Sequence, residues 1–333
     1  MHHEIKSTNE SSRAWSKLFV VLSAIELVLL YSFRAVPDDS QLDLFRYVTF
    51  FGTMENGGNS FLEPGFRLYN YICSLLGDST PYILFTFSFP TISIIMWFIY
   101  KHSKNVSLSV FIYYGFMFYF FLFNGLRQCM AMAIGLVAYH FITCKKWVNA
   151  AFFILLAATF HSSALILIGL FAIRLIRLKI NLRYFLSLTI ICCIFAVVGK
   201  YLVVPVTMMI AKGYSNYFMM NGYGDEGNIA NPIIYLLIMG IIVFFCHGCN
   251  EEEKFYINTL SFGIMLYALS IQVHVLNRLA YYFTIIVICI LPNILNQIHD
   301  INLRLWSTVG FFGRFLWIAL ISCEKDIKLK TRS

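Results

Sequence analysis

Arginine, histidine and carboxylate side chains occur where an otherwise apolar chain should carry none. Arg127 lies in Asn124-Gly-Leu-Arg-Gln between two apolar runs, His161 in Phe160-His-Ser-Ser between two more, and Arg278 in His274-Val-Leu-Asn-Arg-Leu-Ala-Tyr-Tyr-Phe beside a later pair. Asp43, Arg46, Glu63 and Arg67 fall in the polar stretch after the first apolar run. A charge at the centre of a membrane helix costs roughly 2.5–3.5 kcal/mol on insertion scales, so each is a functional candidate. Guanidinium forks bind phosphate oxygens through charge-assisted, often bidentate hydrogen bonds. They can stabilise a departing diphosphate, while a carboxylate or imidazole takes the proton from an attacking hydroxyl. No G-x-x-x-x-G-K-[ST] and no H-E-x-x-H occurs, so the substrate must carry its own activation. A sugar joined to a lipid diphosphate meets that requirement.

Each residue also has a structural reading. An arginine at a span end can snorkel to headgroups, and a lone histidine at a turn is commonly a hydrogen-bonded scaffold residue. Asp43 and Arg46 are spaced as a helical surface pair. Glu63 could simply cap a helix. Glu26, inside the first apolar run, is expected to pair with a neighbouring helix.

The elements that must position these groups are membrane helices. The chain is 59% hydrophobic and 13% charged, against roughly 25% charged in a soluble domain, and its mean hydropathy is +0.72. Runs able to span lie near 15–34, 82–100, 106–123, 126–143, 147–160, 162–176, 184–204, 232–249, 255–275 and 279–296, with an eleventh at 305–322 where Arg314 equally suits a surface-lying segment. The runs flanking His161 read as two thin helices or one broken one. The expectation is an all-α polytopic membrane protein of about 10–11 transmembrane helices, with residues 1–333 forming a single membrane domain. The net charge of +8 comes from short Lys/Arg runs rather than a continuous stripe, which reads as a topology signal and excludes nucleic acid.

With the N-terminus inside, Lys6, Arg13 and Lys17, then Lys101 and Lys104, then Lys145 and Lys146, then Arg174, Arg177, Lys179 and Arg183 all fall on the cytoplasmic side. The first run reads as an uncleaved signal anchor. All the candidate site residues then emerge together on the opposite face, which one site explains. Two outward loops, 35–80 and 205–231, are long. The first should hold a helix within Ser40–Gly52, capped by Asp39 or Ser40, and another over Pro64–Leu76, capped by Glu63 and stopped at Gly77. The second is rich in Tyr, Asn and Gly, suited equally to sugar binding and to a membrane interface. Nine scattered cysteines argue against a disulfide framework, and Cys246-x-x-Cys249 has no second pair to complete a zinc site, so no metal or other cofactor is expected.

The acidic loop with Asp43 and Phe61-Leu-Glu-Pro-Gly-Phe, Arg127-Gln128 leading an Ala-rich span, Phe160-His-Ser-Ser-Ala-Leu, and Asn277-Arg-Leu-Ala-Tyr-Tyr-Phe resemble, in order and spacing, the EpsG-type, Wzy-like bacterial polysaccharide polymerases. The resemblance covers about 34–283. It implies a GT-C-like glycosyltransferase architecture in the bacterial inner membrane and an enzyme that joins undecaprenyl-diphosphate-linked oligosaccharide repeats outside the cytoplasm, into O-antigen or exopolysaccharide. Its implied partners are the lipid-linked donor and acceptor, membrane lipids and a chain-length regulator. Glu63, Arg127, His161 and Arg278 match the family's polar motifs.

On that footing Glu63, His161 and Asp43 are the catalytic candidates, and Arg127 and Arg278 hold the diphosphate. Arg46, Arg67, Gln128, Asn277, Tyr281 and Tyr223 are expected to contact substrate. A helix N-terminus keeps Glu63 ionised but weakens it as a base, so His161 competes for that role. The rivals are a lipid-linked oligosaccharide flippase, an O-antigen ligase and a membrane acyltransferase. A flippase should line the bilayer midplane with charge, and a ligase differs from the polymerase only in its acceptor.

Overall fold

The computed structural model describes residues 2–36, 43–49, 51, 63–210, 229–246, 248–273 and 276–298. The possible span at 305–322, the basic C-terminal tail, residues 211–228 of the second loop including Tyr223, and the caps at Asp39 and Ser40 lie outside these residues.

The protein is an all-α polytopic membrane protein. In chain order the helices are α1 (His2–Ser32), α2 (Asp43–Thr49), α3 (Pro64–Ser74), α4 (Thr80–His102), α5 (Val106–Gly115), α6 (Phe118–Phe121), α7 (Leu126–Thr143) and α8 (Trp147–Phe160). A 3-10 turn (Ser162–Ile168) leads into α9 (Gly169–Leu175), followed by α10 (Leu182–Ile210), α11 (Ala230–Phe245), α12 (Glu251–Ser270), α13 (Leu276–Thr284) and α14 (Val287–Leu295). Among the described residues, four stretches are long and apolar enough to cross a membrane: Arg13–Ser32, α4, α7 and Leu182–Gly199. A fifth arises if α13 and α14, bent by 43° at their junction, form one span. The runs 106–123, 147–160, 162–176 and 232–249 become shorter helices, and 255–275 lies largely in the 20-residue α12. The run 106–123 is interrupted at Met117, whose backbone is left-handed (φ 66°). The runs around His161 are two antiparallel pieces, because Trp147 at the start of α8 meets Phe171 in α9 with ring centroids 6.0 Å apart.

Apolar packing decides which helices lie inside. Helix α14 is buried throughout, and most of α12 is buried too. Helix α4 packs on α1 and α7. One face of α1 stays exposed through Leu22, Ile25, Leu29 and Leu30, as a lipid-facing surface requires. Glu26 is also exposed and forms no ion pair among the described residues, so the expected helix partner is not found there.

Polar groups collect in two layers at opposite ends of the helices. At one end Lys104 pairs with Glu253 (2.8 Å), His102 with Glu252 (2.7 Å) and His140 (3.0 Å), and the Arg174 guanidinium donates to the Glu251 carbonyl (3.2 Å). The acidic run that opens α12 thus faces basic residues arriving from other loops. Asn250 caps α12 through a reciprocal capping box with Glu253. Nearby, Cys246 and Cys249 pair with each other, their Cα atoms 5.9 Å apart. The other cysteines among the described residues are free. Helix α7 runs from His140 in this layer to Arg127 in the other.

Candidate functional site

Glu63 precedes α3 at the N-cap position in extended conformation, with Pro64 supplying the first helical residue. Its side chain makes no capping bond. The carboxylate turns instead toward α7 and the end of α8. Oε2 accepts from Arg127 Nη1 at 2.6 Å, and Oε1 accepts from His161 Nδ1 at 3.1 Å and from the Ser162 amide at 3.0 Å. The Ser162 hydroxyl lies 3.4 Å from Oε1.

Gly65 makes this approach possible. A Cβ there would stand 2.2 Å from Thr159 Oγ1 and 2.9 Å from the Thr159 carbonyl, so α3 can lie against α8 only with glycine at this position. Phe66, fully buried, stacks on Phe87 of α4 (centroids 5.6 Å apart) and anchors the helix from its other face. Glu-Pro-Gly-Phe therefore reads as ligand, helix start, close contact and anchor in four successive residues.

His161 stands in the break after α8. Its amide closes the last bond of α8 to Ala157 (3.0 Å), and its carbonyl accepts from Ala164 (2.9 Å), so the extended backbone is fixed on both sides. Arg127, in the first turn of α7, gives Nε to the Tyr47 hydroxyl at 2.8 Å and lies over the Tyr47 and Phe66 rings. Helix α2 is thereby tied to the site. Nη2 of Arg127 and Nε2 of His161 have no partner among the described residues.

Burial raises the carboxyl pKa of Glu63. The hydrogen bond from His161, the backbone amides of Ser162 and of Glu63 itself, and the charge of Arg127 together outweigh it and bring the value down to about 2. An ionised carboxylate can only accept, so Nδ1 of His161 carries the proton. In the neutral ring Nε2 then holds a lone pair.

The sequence candidates divide. Glu63, Arg127 and His161 form one contiguous cluster. Gln128 ties the start of α7 to α13 by donating to the Arg278 carbonyl. Arg278 itself is exposed, and its guanidinium has no ion pair among the described residues. Asn277 accepts from Asn231 at 3.1 Å and links α13 to α11. Tyr281 stacks on Phe121 with centroids 4.4 Å apart, a packing contact. Arg46 and Arg67 are exposed on α2 and α3. Asp43 opens α2, and its side chain lies outside the described set.

Tyr47, Ser162, Ser163 and Tyr282 were not among the site residues expected from the sequence, although the last three stand in its quoted motifs. The Ser163 and Tyr282 hydroxyls are 3.0 Å apart, and Tyr139 donates to the Tyr282 carbonyl at 2.9 Å, which fixes α13 against the His161 turn. The repeated hydroxyls of His-Ser-Ser were the available signal. Tyr47 had none beyond its place on a short amphipathic helix.

No curated protein and no solved structure matches the chain. The model of the EpsG family matches residues 17–327, a span containing every residue of the cluster. The chain belongs to the EpsG family, and its membrane function is of the polysaccharide-polymerase type.

Proposed function

We propose that this protein is a membrane glycosyltransferase that polymerises lipid-diphosphate-linked oligosaccharide repeat units on the extracytoplasmic face of the bacterial inner membrane. The observation that carries the reading is the Glu63 carboxylate, which holds an arginine on one oxygen and a histidine on the other. That arrangement suits transfer from a diphosphate donor. The acceptor hydroxyl attacks the anomeric carbon of the donor sugar and gives its proton to Nε2 of His161. The bond from the anomeric carbon to the diphosphate oxygen breaks, and its electron pair leaves with the diphosphate.

Arg278, exposed at the same end, and the remaining donors of Arg127 stabilise that departing charge. Glu63, with a pKa near 2, is too weak a base to take the proton itself. It orients the imidazole and Arg127. The basic loops gather at the opposite end, which favours an outward-facing site under the positive-inside rule.

The test is the surface polysaccharide profile of a strain lacking the protein. Collapse of the ladder to a single repeat unit supports polymerisation, because export and ligation then survive. Loss of even the single unit points to a flippase or ligase instead.

A further inference from the structure

Beside the Glu63 cluster lies a second feature that the reaction above does not use. A cavity of about 450 Å³ is walled by Arg34, Leu44, Met117, Phe120, Phe123 and Asn124. It sits where α1 has just ended and where the left-handed residue Met117 breaks the run between α5 and α6. The Arg34 guanidinium lies 4.0 Å from the Phe123 centroid and 5.0 Å from that of Tyr31. Nε and Nη1 are buried and have no hydrogen-bond acceptor among the described residues. Ring faces attract a cation but accept little hydrogen bonding. Two buried guanidinium nitrogens without an acceptor are costly to keep unless an anion arrives to satisfy them. A freely snorkelling arginine would keep Nε and Nη1 in water, whereas both are buried here.

The cavity adjoins the first site. Leu44 in its wall and Tyr47 on Arg127 are three residues apart on α2, hence neighbours on one helix face. Asn124 is three residues before Arg127.

We propose that Arg34 and this cavity bind a second lipid-linked diphosphate, that of the acceptor chain, while Arg127 and Arg278 take the donor's. This inference rests on the polymerase reading. Polymerisation joins two lipid-linked chains, of which one loses its diphosphate and the other keeps it, so two anion sites must stand side by side. The aromatic wall of Phe120 and Phe123 suits the first isoprene units or a sugar face beside the phosphates.

The test uses the full-length protein in detergent, with undecaprenyl diphosphate as probe and native mass spectrometry to count bound lipids. Wild type should bind two. Arg34→Gln should lose one, with affinity at that site falling roughly 10- to 100-fold, and Arg34→Lys should keep part of it. Arg127→Ala should lose the other. Because Nε and Nη1 of Arg34 have no acceptor among the described residues, Arg34→Gln without ligand should melt close to the wild-type temperature, lowered by no more than the lost ring contacts.

Two lipids still bound by Arg34→Gln at wild-type affinity overturns the proposal. So does a melting temperature without ligand that falls well below that of Tyr31→Leu and Phe123→Leu, which remove the ring contacts alone, because a carboxylate of this chain would then satisfy Arg34. Displacement of the second lipid by an equal concentration of phosphatidylglycerol would make the cavity a site for ordinary membrane lipid, and also overturns it. A single bound lipid insensitive to Arg34→Gln sinks this inference alone. No binding by wild type sinks the polymerase reading with it.

Discussion

The carboxylate of Glu63 accepts a hydrogen bond from Nδ1 of His161 over 3.1 Å, although 98 residues separate them. A carboxylate placed behind an imidazole in this way fixes the ring and its tautomer, and leaves the far nitrogen to face a substrate. The same carboxylate holds Arg127 on its other oxygen. Its loss therefore disturbs both the proton acceptor and the cation.

Glu63→Gln should reduce polymer formation by at least about 100-fold, the usual scale for losing oriented acid–base catalysis. Glu63→Asp, which retains the charge on a shorter arm, should recover part of it. Wild-type activity in Glu63→Gln, measured on equal amounts of membrane-inserted protein, would remove Glu63 from the mechanism.

The depressed pKa of Glu63 predicts how stability responds to acid. A carboxyl lowered from an ordinary 4.5 to about 2 stabilises the folded state fully above about pH 4.5. That contribution fades as the pH falls toward 2. The melting-temperature gap between wild type and Glu63→Gln should stay constant from neutral pH to about pH 5 and narrow below that. A gap that closes between pH 7 and pH 6 would show that another group controls it.

Gly65→Ala should separate α3 from α8 and pull Glu63 away from His161, at a cost of about 1–3 kcal/mol in stability and with most of the activity lost. A second change, Thr159→Gly, removes the hydroxyl and Cβ that the new methyl would strike but leaves the Thr159 carbonyl 2.9 Å away. The double variant should therefore recover only part of the activity. Full activity in the single variant would mean that α3 can shift without consequence.

At the other end of the molecule, Glu253 is buried and joins Lys104, Gln297 and the Asn250 amide. Glu253→Ala should lower stability by about 1–3 kcal/mol, through lost charge-assisted bonds and a lost cap. Its activity per folded molecule should be unchanged, as read by thermal melts alongside polymerisation assays. A selective loss of activity would instead couple the two polar layers.

Much of this was legible in the sequence. The apolar runs announce helices because each must satisfy its own backbone in lipid, and Glu63, Arg127 and His161 stood out because charge is expensive beside such runs. Pro64 marked the start of α3 to the residue. What the sequence could not disclose is distance. Nothing in Phe-His-Ser-Ser says which of several carboxylates the imidazole will meet, and the helix-cap reading of Glu63 was equally plausible until its side chain was seen to turn away. The break at Met117 follows Gly115, the last residue of α5, a stop signal passed over when 106–123 was read as one run. Arg34 stood out only as the residue that follows the first apolar run, because its setting depends on rings nearly ninety residues away at Phe123. Gly65 became informative only when Thr159 was found against it.

The most direct test of the central claim is made on purified protein with a lipid-diphosphate-linked repeat unit, following release of the lipid diphosphate and growth of the saccharide together. Wild type should produce both in step, and His161→Ala and Arg127→Ala should each lose both while remaining folded. Chain growth at the wild-type rate in either variant would contradict the account, because a site built on Glu63, Arg127 and His161 cannot transfer a sugar without its proton acceptor or its cation.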